Sequence, residues 1–269
     1  MAAVLPDNHN HYIAWGDPDA MVEAAAAAGV TELVFSEHVH HIEEARAASP
    51  YIATRFAPEG PPVAHGGYVA TVRAAAAVAP IPVRCGIELD VAADNAGLVA
   101  ATNALRDSYA SQWDVVIGSV HVIAGDEAIE GEPVHRDAAA AWADYLERLT
   151  EAAASGSYDV ISHPVRLAQS HPDAPPFVAP RLAELAETAA RADVALEING
   201  TDLERRPDLV EILVDACARH ATPVSLGSDA HRPQKAGRIR AAIPLLRRAG
   251  IDRIVAFERR NRVAVPLPG

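Results

Sequence analysis

The chain has 269 residues, half of them hydrophobic, with two cysteines and a net charge of −13 at pH 7. Its apolar stretches are interrupted well before the roughly 18 consecutive apolar residues that a membrane span needs, so we expect no transmembrane helix. The acidic charge argues against binding to nucleic acid through a broad cationic surface. A small anionic substrate is still compatible with it, because bound divalent cations reverse the field locally.

The first residues, MAAVLPDNHNH, lack a basic segment followed by an apolar one, so they do not resemble a secretory signal and we predict a cytoplasmic protein. Cys85 and Cys217 are too few for a four-cysteine zinc site. We expect both to lie in the core without a disulfide. No sequence feature indicates an oligomeric state.

Short β-branched runs alternate with alanine-rich segments, which predicts parallel strands joined by crossover helices. Asp17, Pro18 and Gly29 are well placed to cap, begin and end the first helix. The predicted strand segments are VLPDNHNH, VTELVFSEH, IPVRCGIELD, WDVVIGSVHV, YDVISHP, VALEING, TPVSLGSDAH and DRIVAFERR. Later helices are predicted at Gly67 to Val78, Asp137 to Ala154, Ala179 to Ala192, Pro207 to His220 and Gly237 to Ala249.

One segment, residues 39–65, is polar, proline-rich and too long for an ordinary connection between a strand and a helix. We interpret it as a lid or insertion in a single domain that spans residues 1–269. Ala124 to Arg136 is a second, shorter candidate.

Histidines and carboxylates recur where the predicted strands end. In a (β/α) barrel the carboxyl ends of successive strands surround one site, so these residues should converge. The set comprises His9, His11, Glu37, His38, Glu88, His121, His163, Asp229 and His231.

Such a cluster favours bound metal. Two like charges at about 4 Å repel by several kcal/mol at an effective dielectric near 20, and divalent ions remove that penalty. Imidazole suits transition metals and carboxylates can bridge two ions, so we expect two to three ions of Zn, Fe or Mn. His9 and His11 project from the same face of a strand, and Glu88, ending an apolar strand, is the expected bridge.

These motifs resemble the PHP family, named for polymerase and histidinol phosphatase, over nearly the whole chain. DNHNH, SEH, GIELD, GSVH, SHP and GSDAH are similar to the family's successive motifs, and LEING and IVAFERRNRVAVPL to its monofunctional histidinol-phosphate phosphatases. The resemblance implies an α/β fold, a distorted (β/α)7 TIM-like barrel, with a trinuclear metal centre.

By this resemblance, His9, His11, Glu88 and Asp229 would hold the first ion. Glu88 would bridge to a second ion that His121 and His163 also hold. His38 and His231 would bind a third, for which the phosphatase branch usually supplies one more histidine. Here that interval reads YIAWGD, and Asp17 is the obvious replacement, unless it serves only as a helix cap.

We therefore predict hydrolysis of a small phosphomonoester, with histidinol phosphate as the substrate that the resemblance implies. Two ions about 3.5 to 4 Å apart would provide hydroxide near neutral pH. Glu88, His121, Asp229 and His231 are the predicted catalytic residues. Candidates for substrate binding are Arg166, Arg232, His40 and Arg55, although surface salt bridges or solvated loop positions explain them equally well.

Three alternatives remain open. A PHP-family phosphodiesterase or exonuclease is disfavoured by the acidic composition and by the lack of a basic, aromatic-rich stripe. The glutamate bridge and the EH motif argue against an amidohydrolase-type metal hydrolase on a (β/α)8 barrel. A noncatalytic domain that has lost its metals is disfavoured by the nearly intact ligand set.

Overall fold

The computed structural model describes residues 4–55, 61–91, 96–130 and 135–269. Numbered along the chain, its strands are β1 (Pro6–Asp7), β2 (Glu32–His38), β3 (Val83–Asp90), β4 (Val115–Ser119), β5 (Val122–Ile123), β6 (Glu127–Ala128), β7 (Val160–Ile161), β8 (Ala195–Asn199), β9 (Val224–Gly227), β10 (Arg253–Glu258) and β11 (Asn261–Pro266). Its helices are α1 (Pro18–Ala27), α2 (Glu43–Ala48), α3 (Pro50–Arg55), α4 (His65–Val78), α5 (Ala96–Ser108), α6 (Ala138–Ala154), α7 (Val178–Ala192), α8 (Gly200–Arg205), α9 (Pro207–His220) and α10 (Ala242–Arg248).

Seven parallel strands form a nearly closed barrel in the order β1-β2-β3-β4-β7-β8-β9. Backbone hydrogen bonds join the first strand to the last: Asn8 N–H donates to the Leu226 carbonyl (2.9 Å) and Asp229 N–H to the His9 carbonyl (2.8 Å). The predicted (β/α)7 barrel is therefore confirmed. Because the strands are parallel, all their carboxyl ends lie at one mouth of the barrel.

The first helix forms as predicted. The Asp17 carboxylate accepts a hydrogen bond from Ala20 N–H (3.0 Å) and Pro18 occupies the first helical position. Gly29 follows the helix with φ of 84°, a conformation that favours glycine.

The prediction that the eighth segment, DRIVAFERR, joins the parallel sheet was wrong. β10 and β11 form a separate antiparallel hairpin, joined by Arg259 and Arg260 with φ of 50° and 62°. A two-residue turn can connect only antiparallel neighbours, whereas a parallel partner needs a long crossover.

This hairpin closes the amino-terminal end of the barrel. Its residues Val255 and Phe257 form a buried cluster with inward-facing residues of the barrel strands. The cluster consists of Val34, Val115, Ile117, Val160, Ala195, Val255 and Phe257. The turn is held there because Arg260 donates to the carboxylate of Asp159 (2.9 and 3.0 Å) and Arg259 N–H donates to that of Asp114 (2.8 Å).

Other differences from the predicted helices are small or local. α4 begins at His65 instead of Gly67, and the segment expected to be helical from Gly237 divides into a short 3-10 turn (Arg238–Ala241) and α10. α2, α3, α5 and α8 were not predicted.

Where the structure describes residues 39–65, the segment predicted to be a lid or insertion, it contains helices and turns; residues 56–60 lie outside the described part. A 3-10 turn (Val39–His41) leads into α2 and α3, and Ile42 bridges to Val63 in parallel. Asp126, in the second candidate loop, accepts hydrogen bonds from the Tyr51 hydroxyl and, through its carbonyl, from Arg55 (3.1 Å). Residues 131–134 of that loop also lie outside the described part.

Both cysteines are buried and form no disulfide, as expected. None of the helices in the described residues is long and apolar enough to cross a membrane.

Candidate metal centre

Eight side chains that the sequence placed at strand ends meet at the carboxyl-terminal mouth of the barrel. They are His9, His11, His38, Glu88, His121, His163, Asp229 and His231. A cavity of about 910 Å³ opens over them.

The Glu88 carboxylate lies at the centre of the group. Its Oε1 is 3.2 Å from His9 Nε2 and 3.4 Å from both His121 Nε2 and His163 Nε2. Its Oε2 faces His11 Nε2 (3.7 Å) and contacts His38 Nδ1. Burial would raise the pKa of Glu88, but His38 and His9 outweigh it and lower that pKa well below its ordinary value. Each oxygen of one carboxylate thus faces a different set of imidazoles, as a bridging ligand requires.

Asp229 forms the second carboxylate of the group. Its Oδ1 lies 3.2 Å from His11 Nε2 and 3.8 Å from His9 Nε2. It adopts φ of 51°, a left-handed conformation that is uncommon in residues other than glycine, asparagine and aspartate. Two residues on, His231 Nε2 lies 3.1 Å from His38 Nε2.

The donor atoms fit divalent metal ions. Several buried ring and carboxylate atoms that face one another lack a hydrogen-bond partner among the described residues; they are His9 Nε2, His11 Nε2, His38 Nδ1, His163 Nε2 and Glu88 Oε2. Three overlapping groups have ligand atoms close enough to hold one ion: His11 with His38 and His231, His9 with His11 and Glu88, and His38 with Glu88 and His121. Buried polar atoms are rarely left without partners, so this cluster is suited to cations.

A second layer of carboxylates supports three of the imidazoles, and of these carboxylates only Glu37 belonged to the set predicted at the strand ends. Glu197 Oε1 bonds to His9 Nδ1 (2.8 Å) and Asp90 Oδ1 to His121 Nδ1 (2.6 Å). Glu37 Oε2 lies 3.6 Å from His11 Nδ1. A carboxylate on Nδ1 fixes the ring and directs Nε2 toward the centre.

Two of these carboxylates also hold the backbone. Glu197 Oε2 accepts from His163 N–H (2.8 Å), and His163 has φ of 32°. Glu37 Oε1 accepts from the N–H groups of Tyr12 (2.5 Å) and Ile13 (2.8 Å).

Gly227 leaves room for the carboxylate of Glu197. A Cβ at this position would lie 1.9 Å from Glu197 Oε1 and 2.6 Å from the His9 Cβ.

Arg166 is buried in a network of three carboxylates instead of forming a surface salt bridge. It contacts Asp202 (2.6 Å), Glu130 (2.6 Å) and Asp229 Oδ2 (2.7 Å). It therefore fixes the outer oxygen of Asp229. Arg166 also lines the cavity, and its Nη2 has no hydrogen-bond partner among the described residues.

The other predicted substrate-binding residues also line the cavity. Arg232 is exposed and forms no ion pair with a described residue, and the same holds for Arg205, which the sequence did not single out. Arg55 is 3.5 Å from Asp126. His40 stacks on His38, with ring centroids 4.7 Å apart, and burial lowers the pKa of His40 to about 2.

Asp17 is exposed and caps α1. The groups of ligand atoms found among the described residues do not include it. Its role as a metal ligand stays a prediction.

A family model described as PHP domain matches residues 8–201, which contain four of the six motifs that resemble the family and all of DNHNH except Asp7. The chain belongs to the PHP family. Its barrel and its arrangement of histidines and carboxylates at the strand ends are thus features of a PHP protein.

Similar proteins match this PHP chain over nearly its full length. A protein of Deinococcus radiodurans named probable histidinol-phosphatase is 28% identical over 278 residues, covering 96% of this chain and 98% of that protein. The crystal structure of histidinol phosphate phosphatase from Lactococcus lactis, complexed with zinc, L-histidinol and phosphate, has a TM-score of 0.71 at 21% identity, covering 97% of this chain and 98% of that one. The putative histidinol phosphatase of Listeria monocytogenes has a TM-score of 0.69 at 17% identity, covering 88% and 99%.

Proposed function

We propose that this PHP protein is a metal-dependent phosphatase that hydrolyses histidinol phosphate to histidinol and phosphate, in the cytoplasm. One observation carries the proposal: Glu88 is surrounded by five imidazoles from four different segments at the floor of a single cavity. The name of the Deinococcus relative supports the choice of substrate.

We assign two to three ions of Zn, Fe or Mn to this cluster. His9, His11, Glu88 and Asp229 would hold the first, and Glu88, His121 and His163 the second. His38 and His231 would hold a third, with Asp17 as the remaining candidate. Zinc is supported by its presence in the Lactococcus structure. When bound, such ions supply an acidified water and a Lewis acid for phosphoryl oxygens.

The arginines of the cavity account for recognition of a phosphate dianion by an acidic chain. Arg232 and Arg205 have no carboxylate partner among the described residues, so their charges are available to phosphoryl oxygens. Arg166 is neutralised by three carboxylates but keeps Nη2 as a donor. It would bind phosphate through that nitrogen while it holds Asp229 in place.

The insertion at residues 39–65 supplies one wall of the cavity through His40 and Arg55. We propose that it covers the substrate, and that residues 1–269 form one barrel domain with this insertion.

The test is a phosphate-release assay on metal-replete protein with histidinol phosphate, other small phosphomonoesters and phosphodiesters, together with the metal content of the protein. We expect two to three ions per chain and a kcat/KM for histidinol phosphate at least about tenfold above the others. His121→Ala should lose turnover, whereas His220→Ala, at the end of α9, should keep it. A metal-free protein without turnover would contradict the proposal, and preferential cleavage of diesters would replace it with a phosphodiesterase.

A further inference from the structure

Trp15 differs from the other two tryptophans of the chain. Trp113 and Trp142 are buried in the core, whereas Trp15 is 45% exposed. An indole combines a large apolar surface with a polar N–H group, and tryptophan is therefore enriched at binding interfaces.

The indole lies at the cavity that leads to the metal centre. Trp15 lines it together with Arg232, Arg205 and His231. Among the described lining residues it is the only aromatic side chain apart from the imidazoles. None of the ring pairs within the described residues includes Trp15, so both faces of its indole are free of stacked partners there.

A fixed turn presents this side chain. Trp15 N–H and Gly16 N–H both donate to the Tyr12 carbonyl (3.0 and 2.7 Å), and Gly16 has φ of 82°. Tyr12 itself is buried against Phe35, with ring centroids 5.1 Å apart. Glu37 holds the start of the turn through the N–H groups of Tyr12 and Ile13. The indole is therefore positioned by the same carboxylate that lies behind His11.

We propose that Trp15 is a specificity-determining residue whose indole binds the leaving group of the substrate, and that it selects leaving groups that are planar or cationic. The inference rests on the proposed function. It concerns the leaving group, because the metal centre would bind the phosphoryl group and not the rest of the substrate. An aromatic face attracts both a flat ring and a positive charge. The imidazole and ammonium groups of histidinol offer both.

The kinetic test compares Trp15→Ala and Trp15→Phe with the unchanged protein, using histidinol phosphate and glycerol phosphate. We expect Trp15→Ala to lower kcat/KM for histidinol phosphate about 5- to 30-fold, mainly through KM, because such contacts are modest. Glycerol phosphate, with an uncharged aliphatic leaving group, should change less than about twofold. Trp15→Phe should keep most of the preference. Equal losses on both substrates, or no loss on either, would overturn the inference.

A binding experiment separates this inference from the proposed activity. Because the other two tryptophans are buried, Trp15 dominates the long-wavelength part of the fluorescence, and L-histidinol should perturb that signal in the unchanged protein but not in Trp15→Phe. Unchanged metal content in the variants excludes an effect through the cluster. If no phosphoester is hydrolysed but L-histidinol still perturbs Trp15, the activity fails and the inference stands. If hydrolysis proceeds and the signal does not respond, the inference fails alone.

Discussion

The two ends of the barrel use similar residues in opposite ways. At the amino-terminal end, the Asp159 carboxylate accepts from Val116 N–H (2.8 Å) and from the Arg260 guanidinium, so protein donors satisfy it. At the carboxyl-terminal end, Glu88 and Asp229 face imidazole nitrogens, several of which have no hydrogen-bond partner among the described residues. Carboxylates satisfied by the protein stabilise the fold, whereas the unsatisfied cluster is suited to cations.

A single strand shows the change from one end to the other. Along β4, Val115 and Ile117 belong to the apolar cluster with the hairpin, and Ser119 donates to Glu88 (2.5 Å). His121, just beyond the strand, reaches the same carboxylate. Alternate positions along this strand thus lead from the apolar cluster at the hairpin to the candidate metal centre over about 20 Å.

The largest effect should come from Glu88→Gln, which keeps the shape of the side chain and removes the charge that five imidazoles surround. We expect metal retention and kcat to fall by more than about a hundredfold, because even outer partners of metal ligands contribute ten- to a hundredfold. Metal analysis and phosphate release measure this, with Glu211→Gln on the surface of α9 as the matched control. A metal-loaded, active Glu88→Gln protein would contradict the central role of this carboxylate.

Glu197→Gln should have the next largest effect, since it removes the charge behind His9 while leaving all eight clustered side chains intact. We expect metal affinity and kcat/KM to fall by about ten- to a hundredfold. The measurement is a metal titration monitored by activity and by metal content. Glu187→Gln, on the exposed side of α7, should behave like the unchanged protein. If both variants lost metal affinity equally, the loss could not be assigned to the contact between Glu197 and His9.

Asp159→Ala tests the other end of the barrel. It leaves Val116 N–H and Arg260 without their acceptor, so we expect the free energy of unfolding to fall by about 2 kcal/mol. The kcat of the folded protein should change by less than about twofold. Denaturant unfolding and phosphate release measure the two quantities, with the exposed Asp252→Ala as control. A large loss of activity without a loss of stability would show that the two ends are not separate in function.

The last prediction concerns the two buried cysteines, Cys85 on β3 and Cys217 on α9. Burial raises the pKa of both Cys85 and Cys217 to about 12. At pH 8 their thiolate fraction is then about a thousandfold smaller than that of a thiol at its ordinary value. We expect no reaction with a thiol reagent in the folded protein and two reactive thiols per chain in denaturant. Fast labelling of the folded protein would show that the core opens readily.

Much of the fold could be predicted because its signals are local. Alternation gave the seven barrel strands, and the positions of histidines after those strands gave the convergence at one mouth. α5 carried a comparable signal that was missed: Ala101 and Leu105, four residues apart, are buried on one face. The pairing of β10 with β11 depends on a two-residue turn that consists of Arg259 and Arg260, and neither of these positions is the glycine or asparagine that such turns favour.

The supporting carboxylates divide in the same way. Asp90 lies two residues after Glu88 and so shares its face, and Glu197 interrupts an apolar strand as Glu88 does. Both could have been found from the sequence. Glu37 was in the set predicted at the strand ends, but its role was not foreseen: it points to the face opposite His38, toward the backbone N–H groups of a turn that forms only in the folded chain.

The candidate metal centre also requires a glycine at position 227, where any side chain would collide with Glu197. Because a methyl group there would displace Glu197 from His9, a scan of all substitutions should find this position as intolerant as a ligand position. Gly29, whose role is to end a helix, should accept asparagine. Intolerance at Gly227 would then reflect the carboxylate of Glu197, whereas at Gly86 and Gly118 it would reflect packing against Val115 and Tyr158.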